Sequence, residues 1–196
     1  MKVLVACEYS GIVRDAFIRR GHDAMSCDLL PTDSPGPHYQ GDVWDVLDRH
    51  WDLIIAHPPC TALTVAGNKH YGENSARYSE RLEAAKWTRE LWDKCCEVSP
   101  RVAFENPVGV LSRLGGLPKP HYVQPWQFGH PEQKKTGLHL CGLQPLEATD
   151  NVYEKMMALP KNKRERMHYL PPSADRWKIR STTFSGIADA MAEQWG

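Results

Sequence analysis

A thiol and a carboxyl at the ends of two apolar runs are the groups in this chain best suited to chemistry. Cys60 ends Trp51-Asp52-Leu53-Ile54-Ile55-Ala56-His57-Pro58-Pro59-Cys60, and Glu105 follows Arg101-Val102-Ala103-Phe104 to open Glu105-Asn106-Pro107. Runs of this length and composition predict buried strands of a parallel sheet. Proline cannot donate to the ladder and turns its predecessor away from helix, so each run stops where its prolines begin. In open α/β sheets, ligands bind beyond the carboxyl ends of the strands. Cys60 and Glu105 are 45 positions apart with one helix expected between them, and a right-handed crossover would set their strands side by side.

A thiol and a carboxyl sharing one sheet edge suit covalent addition to an electron-poor ring. The thiolate attacks a ring carbon while the protonated carboxyl donates to a ring nitrogen, relieving the charge that develops. An ordinary thiol ionises near about 8.5, so it needs help from a helix N-terminus after Cys60 or from a nearby lysine or arginine. Taken singly, a cysteine at a strand end is ordinarily a small buried hydrophobe, and an acid there a cap or a surface charge. Pro-Pro-Cys and Glu-Asn-Pro at successive strand ends favour a functional pair instead.

The elements that must position them begin at the N-terminus. Lys2–Ala6 is predicted as a buried strand, followed by the turn Cys7-Glu8-Tyr9-Ser10-Gly11. Apolar residues at Ile12, Val13, Ala16 and Phe17 predict a helix over 12–20, closed by Gly21. Asp23–Asp28 returns as a second strand. Strand, turn, helix and strand make the opening unit of a nucleotide-binding α/β fold. A proline- and glycine-rich loop covers 30–41 and ends in Gly41-Asp42.

After Cys60 a polar loop is expected over 61–75, then a long helix from about 77 to 97 whose stripe of Leu82, Ala85, Trp92 and Cys96 faces the sheet. Residues 122–128 and 138–140 read as two further strands, an antiparallel pair. Residues 145–172 are weakly ordered in pattern and rich in charge, and 186–195 reads as a terminal helix. Trp87, Trp92 and Trp126 are expected in the core, and Cys95 and Cys96 in the helix without a redox role.

At 196 residues the chain suits one domain burying roughly 70% of its unfolded surface. Lysine plus arginine balance aspartate plus glutamate at 24 each, so global charge predicts no partner. The six cysteines form no CxxC pair and follow no secretory signal, which fits a reducing, cytoplasmic setting. No run approaches the roughly 20 apolar residues of a membrane helix. Histidines and cysteines never cluster at ligand spacing, so no metal site is expected.

Nearly end to end, the chain resembles the DNA cytosine-5 methyltransferases, in particular their short phage-type members. Ala6-Cys7-Glu8-Tyr9-Ser10-Gly11, running on to Phe17, is similar to the family's first motif, the turn that receives S-adenosylmethionine. Asp28 and Leu29 stand at the family's ribose-binding acid, and Gly41-Asp42 resembles the motif with an acid near the adenine amine. His57-Pro58-Pro59-Cys60 resembles the Pro-Cys motif whose cysteine attacks C6 of cytosine. Phe104-Glu105-Asn106-Pro107 resembles the Glu-Asn-Val motif whose glutamate engages N3 and the exocyclic amine. Residues 128–142 resemble the Gln-x-Arg-x-Arg region, and 183–195 the final motif.

The resemblance implies a Rossmann-like S-adenosylmethionine-dependent methyltransferase fold, mostly parallel with an antiparallel end. It also implies Cys60, Glu105 and Lys134 as catalytic residues. Cys7, Glu8, Tyr9, Ser10, Gly11, Asp28, Leu29, Asp42 and Pro58 would bind the cofactor, with Glu8 near the sulfonium. The chain departs from the pattern in three places. Cys7, Tyr9 and Gly11 replace the usual Phe-x-Gly-x-Gly, and Gln133, Lys134 and Lys135 replace Gln-x-Arg-x-Arg. Residues 143–184 form a short insert where full-size members carry a target-recognition domain.

Two basic runs lie in that insert. Lys161, Lys163, Arg164 and Arg166 make one; Arg176, Lys178 and Arg180 alternate in the other, predicting an edge strand with one charged face. They suit phosphate contacts, and equally a solvated face balanced by Glu154 and Glu165. Enzymes that methylate an exocyclic amine carry an aromatic residue at the place of Cys60, so a cysteine there favours carbon over nitrogen.

The expected activity is therefore methylation of cytosine C5 in DNA, duplex or single-stranded, with a homodimer as one means of adding recognition surface. Any base taken from a duplex must first be extruded. Two alternatives stand beside it: the same chemistry on a free nucleotide such as deoxycytidylate, and a non-catalytic DNA- or protein-binding relic. Transfer of a group other than methyl is a third.

Overall fold

The computed structural model describes residues 1–196. Its centre is one seven-stranded sheet in the order β3-β2-β1-β4-β5-β7-β6. The strands are β1 Lys2–Ala6, β2 Asp23–Asp28, β3 His38–Gln40, β4 Leu53–Ala56, β5 Val102–Pro107, β6 His121–Val123 and β7 Thr136–Cys141. The first five run parallel, while β7 lies antiparallel between β5 and β6. The sheet is thus the Rossmann-like, mostly parallel arrangement with an antiparallel end that the sequence predicts.

The helices are α1 Ile12–Arg19, α2 Asn68–Tyr71, α3 Tyr78–Val98, α4 Leu111–Leu114, α5 Tyr153–Met157, α6 Lys161–Arg164, α7 Arg166–Tyr169, α8 Arg176–Ser181 and α9 Ser185–Gln194. Strand periodicity decides which layer each side chain meets. Val3, Val5, Leu53, Ile55 and Ala103 pack with Phe17 of α1 and Met191 of α9. Leu4, Ala6, Ile54, Ala56, Val102 and Phe104 point the other way, toward Ala85, Leu91 and Trp92 of α3. Both faces are covered, as parallel sheets require.

Several expectations fail for local reasons. The loop over 30–41 contains β3, an edge strand of exposed and half-exposed residues held by its register with β2 and by side-chain hydrogen bonds such as that of His38 Nδ1 with Ser26 Oγ. The strand expected over 122–128 ends at Val123, because Pro125 lacks an N–H and starts a 3₁₀ turn. Residues 145–172 hold three short helices. Residues 176–180 form α8 and not an edge strand: over so short a span, alternating charge fits a helix as well as a strand. The buried face of α3 is Arg81, Ala85, Thr88, Leu91, Trp92 and Cys95, so the predicted period is right but Leu82 is exposed. Of the three tryptophans expected in the core, Trp92 is buried; half-buried Trp87 packs edge-on against Trp44, and half-buried Trp126 against Tyr153.

Candidate active site

The parallel register Ile54↔Val102, Ile55↔Ala103 and Ala56↔Phe104 extends one step to bring His57 opposite Glu105. Their side chains meet: His57 Nδ1 lies 3.2 Å from Glu105 Oε2, with only 10% and 13% of the two side chains exposed. Strand parity directs both toward the α1/α9 layer. One step further, Asn106, 1% exposed, donates from Nδ2 to the Pro58 carbonyl at 3.5 Å and ties the proline turn to β5.

Cys60 follows that turn, half-buried and unpaired by any disulfide. Burial, then the Glu105 carboxylate, pushes its thiol up, while Lys134 and Arg180 pull the other way. Lys134, just before β7, is therefore close enough to Cys60 and Glu105 to act on the charge of both. Burial lowers the lysine's affinity for its proton against the pull of those two acids, and its Nζ donates to the Thr182 carbonyl at 3.2 Å. Burial alone would push His57 down and Glu105 up. Their mutual hydrogen bond and charge outweigh it, holding the imidazole above and the carboxyl below their usual values. Thiol, carboxyl, imidazole and ammonium therefore share one partly enclosed edge of the sheet.

A second cluster lies at the ends of β1 and β2. Cys7, at φ 56°, is the one non-glycine residue with left-handed backbone, an unfavourable conformation that surrounding structure must hold in place. Its thiol is pushed up to about 12 by burial and then by Asp28, Cys27 and Asp42, so it stays protonated. Asp28 Oδ1 accepts from the Leu30 amide at 2.9 Å and Asp42 Oδ1 from the Trp44 amide at 3.2 Å. In each the second oxygen has no protein partner. Leu29, directly after β2, is 72% exposed.

Glu8 and Tyr9 both have partners within the protein. Glu8, 4% exposed, accepts from Val13 N at 2.7 Å, Arg14 N at 3.2 Å and Ser10 Oγ at 3.0 Å, capping the start of α1, where Gly11 supplies the left-handed turn. Tyr9 is covered by α8: its hydroxyl donates to the Lys178 carbonyl at 3.1 Å and lies 3.0 Å from Ser181 Oγ, and its ring centroid lies 5.6 Å from that of Trp177.

Sequence reasoning missed three residues that hold this region together. His57 is the first, through its contact with Glu105. Arg81, 2% exposed on α3, donates to the carbonyls of Ala62 and Thr64 and to Asn68 Oδ1 at 2.6–3.1 Å, fixing the loop after Cys60. Arg14, fully buried, likewise binds Ser26 Oγ, Thr32 Oγ1 and the Ser34 carbonyl, fixing the loop after Asp28. A charged residue at an apolar position of a helical pattern was the available signal for both.

No family model matches the chain, and no curated protein matches it. Among solved structures it is similar to a prophage-encoded E. coli protein assigned as a DNA modification methyltransferase. That match has 16% identity and a TM-score of 0.47, covering 82% of this chain and 56% of the other. It is also similar to the Dnmt2 methyltransferase of S. pombe, at 13% identity and a TM-score of 0.46, covering 91% of this chain and 62% of the other. This chain thus spans less than two thirds of the length of either.

Proposed function

We propose that this chain is an S-adenosylmethionine-dependent methyltransferase acting at C5 of cytosine in DNA. The observation that supports the proposal is that Cys60, after β4, and Glu105, on the neighbouring parallel strand β5, share one edge of the sheet, where Glu105 and Lys134 bias the Cys60 thiol in opposite directions. In this reading Cys60 adds to C6 of the pyrimidine and Glu105 engages N3 and the exocyclic amine. Lys134 offsets negative charge as the thiol ionises, because an ammonium beside a thiol favours its thiolate.

The β1 and β2 ends suit the cofactor. Asp28 and Asp42 each leave a carboxylate oxygen for hydroxyl or amine donors, and exposed Leu29 offers an apolar surface for a ring. Cys7, Ser10, Gly11 and Pro58 border the same strand ends. S-adenosylmethionine, when bound, supplies the methyl group. Glu8 acts in this scheme through α1, as a cap, and Tyr9 through α8. Asp28→Ala should weaken cofactor binding by about 2 kcal/mol, the worth of a charge-assisted hydrogen bond, measurable by titration calorimetry; unchanged affinity would remove Asp28 from the site.

The decisive experiment offers the protein a labelled methyl donor with duplex DNA, single-stranded DNA or deoxycytidylate. Transfer to DNA supports the proposal, and Cys60→Ser should lower it by on the order of a thousandfold or more while cofactor affinity stays. A serine variant with undiminished turnover defeats the nucleophile assignment. Transfer to deoxycytidylate alone would favour the free-nucleotide reading. That reading draws support from Arg180, an exposed cation near Cys60 with no carboxylate partner, available to a nucleotide phosphate.

A further inference from the structure

His57 is the residue in this site whose chemistry remains unused. It takes the first place of His57-Pro58-Pro59-Cys60 and lies across from Glu105 in strand register. Nδ1 meets Glu105 Oε2 at 3.2 Å, and Nε2 is buried with no hydrogen-bond partner. Glu105 Oε1 has no bond within the protein, so one carboxyl oxygen faces the imidazole and the other is available to a ligand. A histidine placed only for packing would not leave a ring nitrogen buried and unpartnered beside an acid, since an unsatisfied buried polar group is destabilising.

We propose that His57 is a positioning residue that stores the proton Glu105 delivers to the ring nitrogen of a bound base. This rests on the reading of Cys60 and Glu105 given above. At rest the pair holds one transferable proton, on His57 Nδ1, and Glu105 is a carboxylate. As the thiolate pair of Cys60, its own proton given up to solvent, forms the S–C6 bond, the C5=C6 pair becomes C4=C5 and the C4=N3 pair takes a proton onto N3 from Glu105. Glu105 draws that same proton from His57 Nδ1, so the adduct leaves a carboxylate beside a neutral imidazole. Expulsion of the thiolate reverses each transfer and returns the proton to His57.

The groups facing the imidazole agree with this role. Glu105 from β5 and Glu8 from the turn after β1 favour its charged form, and Lys134 from the segment before β7 opposes it. Without His57 the transferable proton would belong to a carboxyl alone, whose ordinary value of 4.5 lies below the imidazole's 6.5. The proton would then be lost at lower pH.

Two measurements test this. The first is release of tritium from a [5-³H]cytosine oligonucleotide without methyl donor, followed from pH 5.5 to 9: water protonates C5 in the adduct and takes up the label. The falling alkaline limb of the wild type should move down by about one pH unit or more in His57→Gln, with at least tenfold slower release at pH 7.5 and under threefold loss at pH 5.5. A uniform loss at every pH, with the limb in place, would show a merely structural role and overturn the proposal. His57→Asn serves as the second variant should His57→Gln fail to fold.

The second measurement is the NMR titration of the His57 ring, which needs no substrate. It should fall above the ordinary imidazole value in the wild type and drop in Glu105→Gln. A ring titrating at or below the ordinary value in the wild type overturns the proposal independently. Absence of tritium release from the wild type, with His57 titrating high, would instead defeat the cytosine reading and leave the stored proton standing.

Discussion

The acid–imidazole pair makes one residue-scale prediction about stability. Glu105 is held low, so its contribution is present above its unfolded value near 4.5 and is lost as pH falls through the depressed folded value. His57 is held high, so its contribution is full below its unfolded value near 6.5 and is lost as pH rises through the elevated folded value. The pair therefore stabilises most between those two values. Glu105→Gln should cost about 3 kcal/mol there, the lower end for breaking a buried ion pair, and less once pH has risen through the elevated imidazole value. Denaturant melts at pH 5.5 and 8.5 check it. A cost that grows with pH would mean that the imidazole is neutral. Cys60 was legible because prolines end β4 before it; Glu105 was expected at a strand end, but β5 continues through it to Pro107, because β7 pairs antiparallel with that stretch. Their partner His57 was not legible: its role comes from the neighbouring strand's register, which no local pattern in the chain specifies.

At the scale of elements, two buried arginines couple helices to the loops that bear the site. Arg81 reaches from α3 to the backbone after Cys60, and Arg14 from α1 to the backbone after Asp28. Removing either guanidinium strands carbonyls inside the protein. Arg81→Met, which keeps much of the volume, should cost about 3 kcal/mol from the unpaired acceptors and speed amide exchange across 61–68 more than in β4. Equal protection in wild type and variant would show that the loop is held without Arg81. The periodicity of α3 and the alternation in β1, β4 and β5 could be read directly, because side-chain spacing follows from backbone geometry. Short elements could not. β3 owes its existence to pairing with β2, and α8 to packing of Trp177 and Lys178 around Tyr9.

Across the whole molecule, charge is zero in sum yet uneven in distribution. Within the insert, Arg166 is engaged with Glu132 at 3.0 Å, whereas Lys161 and Lys163 are exposed and carry no ion pair. The balancing carboxylate thus comes from before β7, not from Glu154 or Glu165. If DNA lies along α6, Lys161→Gln with Lys163→Gln should reduce the slope of log affinity against log salt by about 2 for duplex, at 0.9 per phosphate contact. An unaltered slope assigns the run to solvation. No helix is long and apolar enough to cross a membrane.

Read alone, the chain determined the order of its long elements, the two segments that carry Cys60 and Glu105, and the acids Asp28, which ends β2, and Asp42, which follows Gly41. Those features are local: apolar period, proline stops and turn residues act within a few positions of themselves. Tertiary structure alone decided that α8 covers Tyr9, that the Lys134 ammonium donates to the Thr182 carbonyl, and that His57 opposes Glu105. Each is a contact between segments far apart in the chain, settled by strand register and burial.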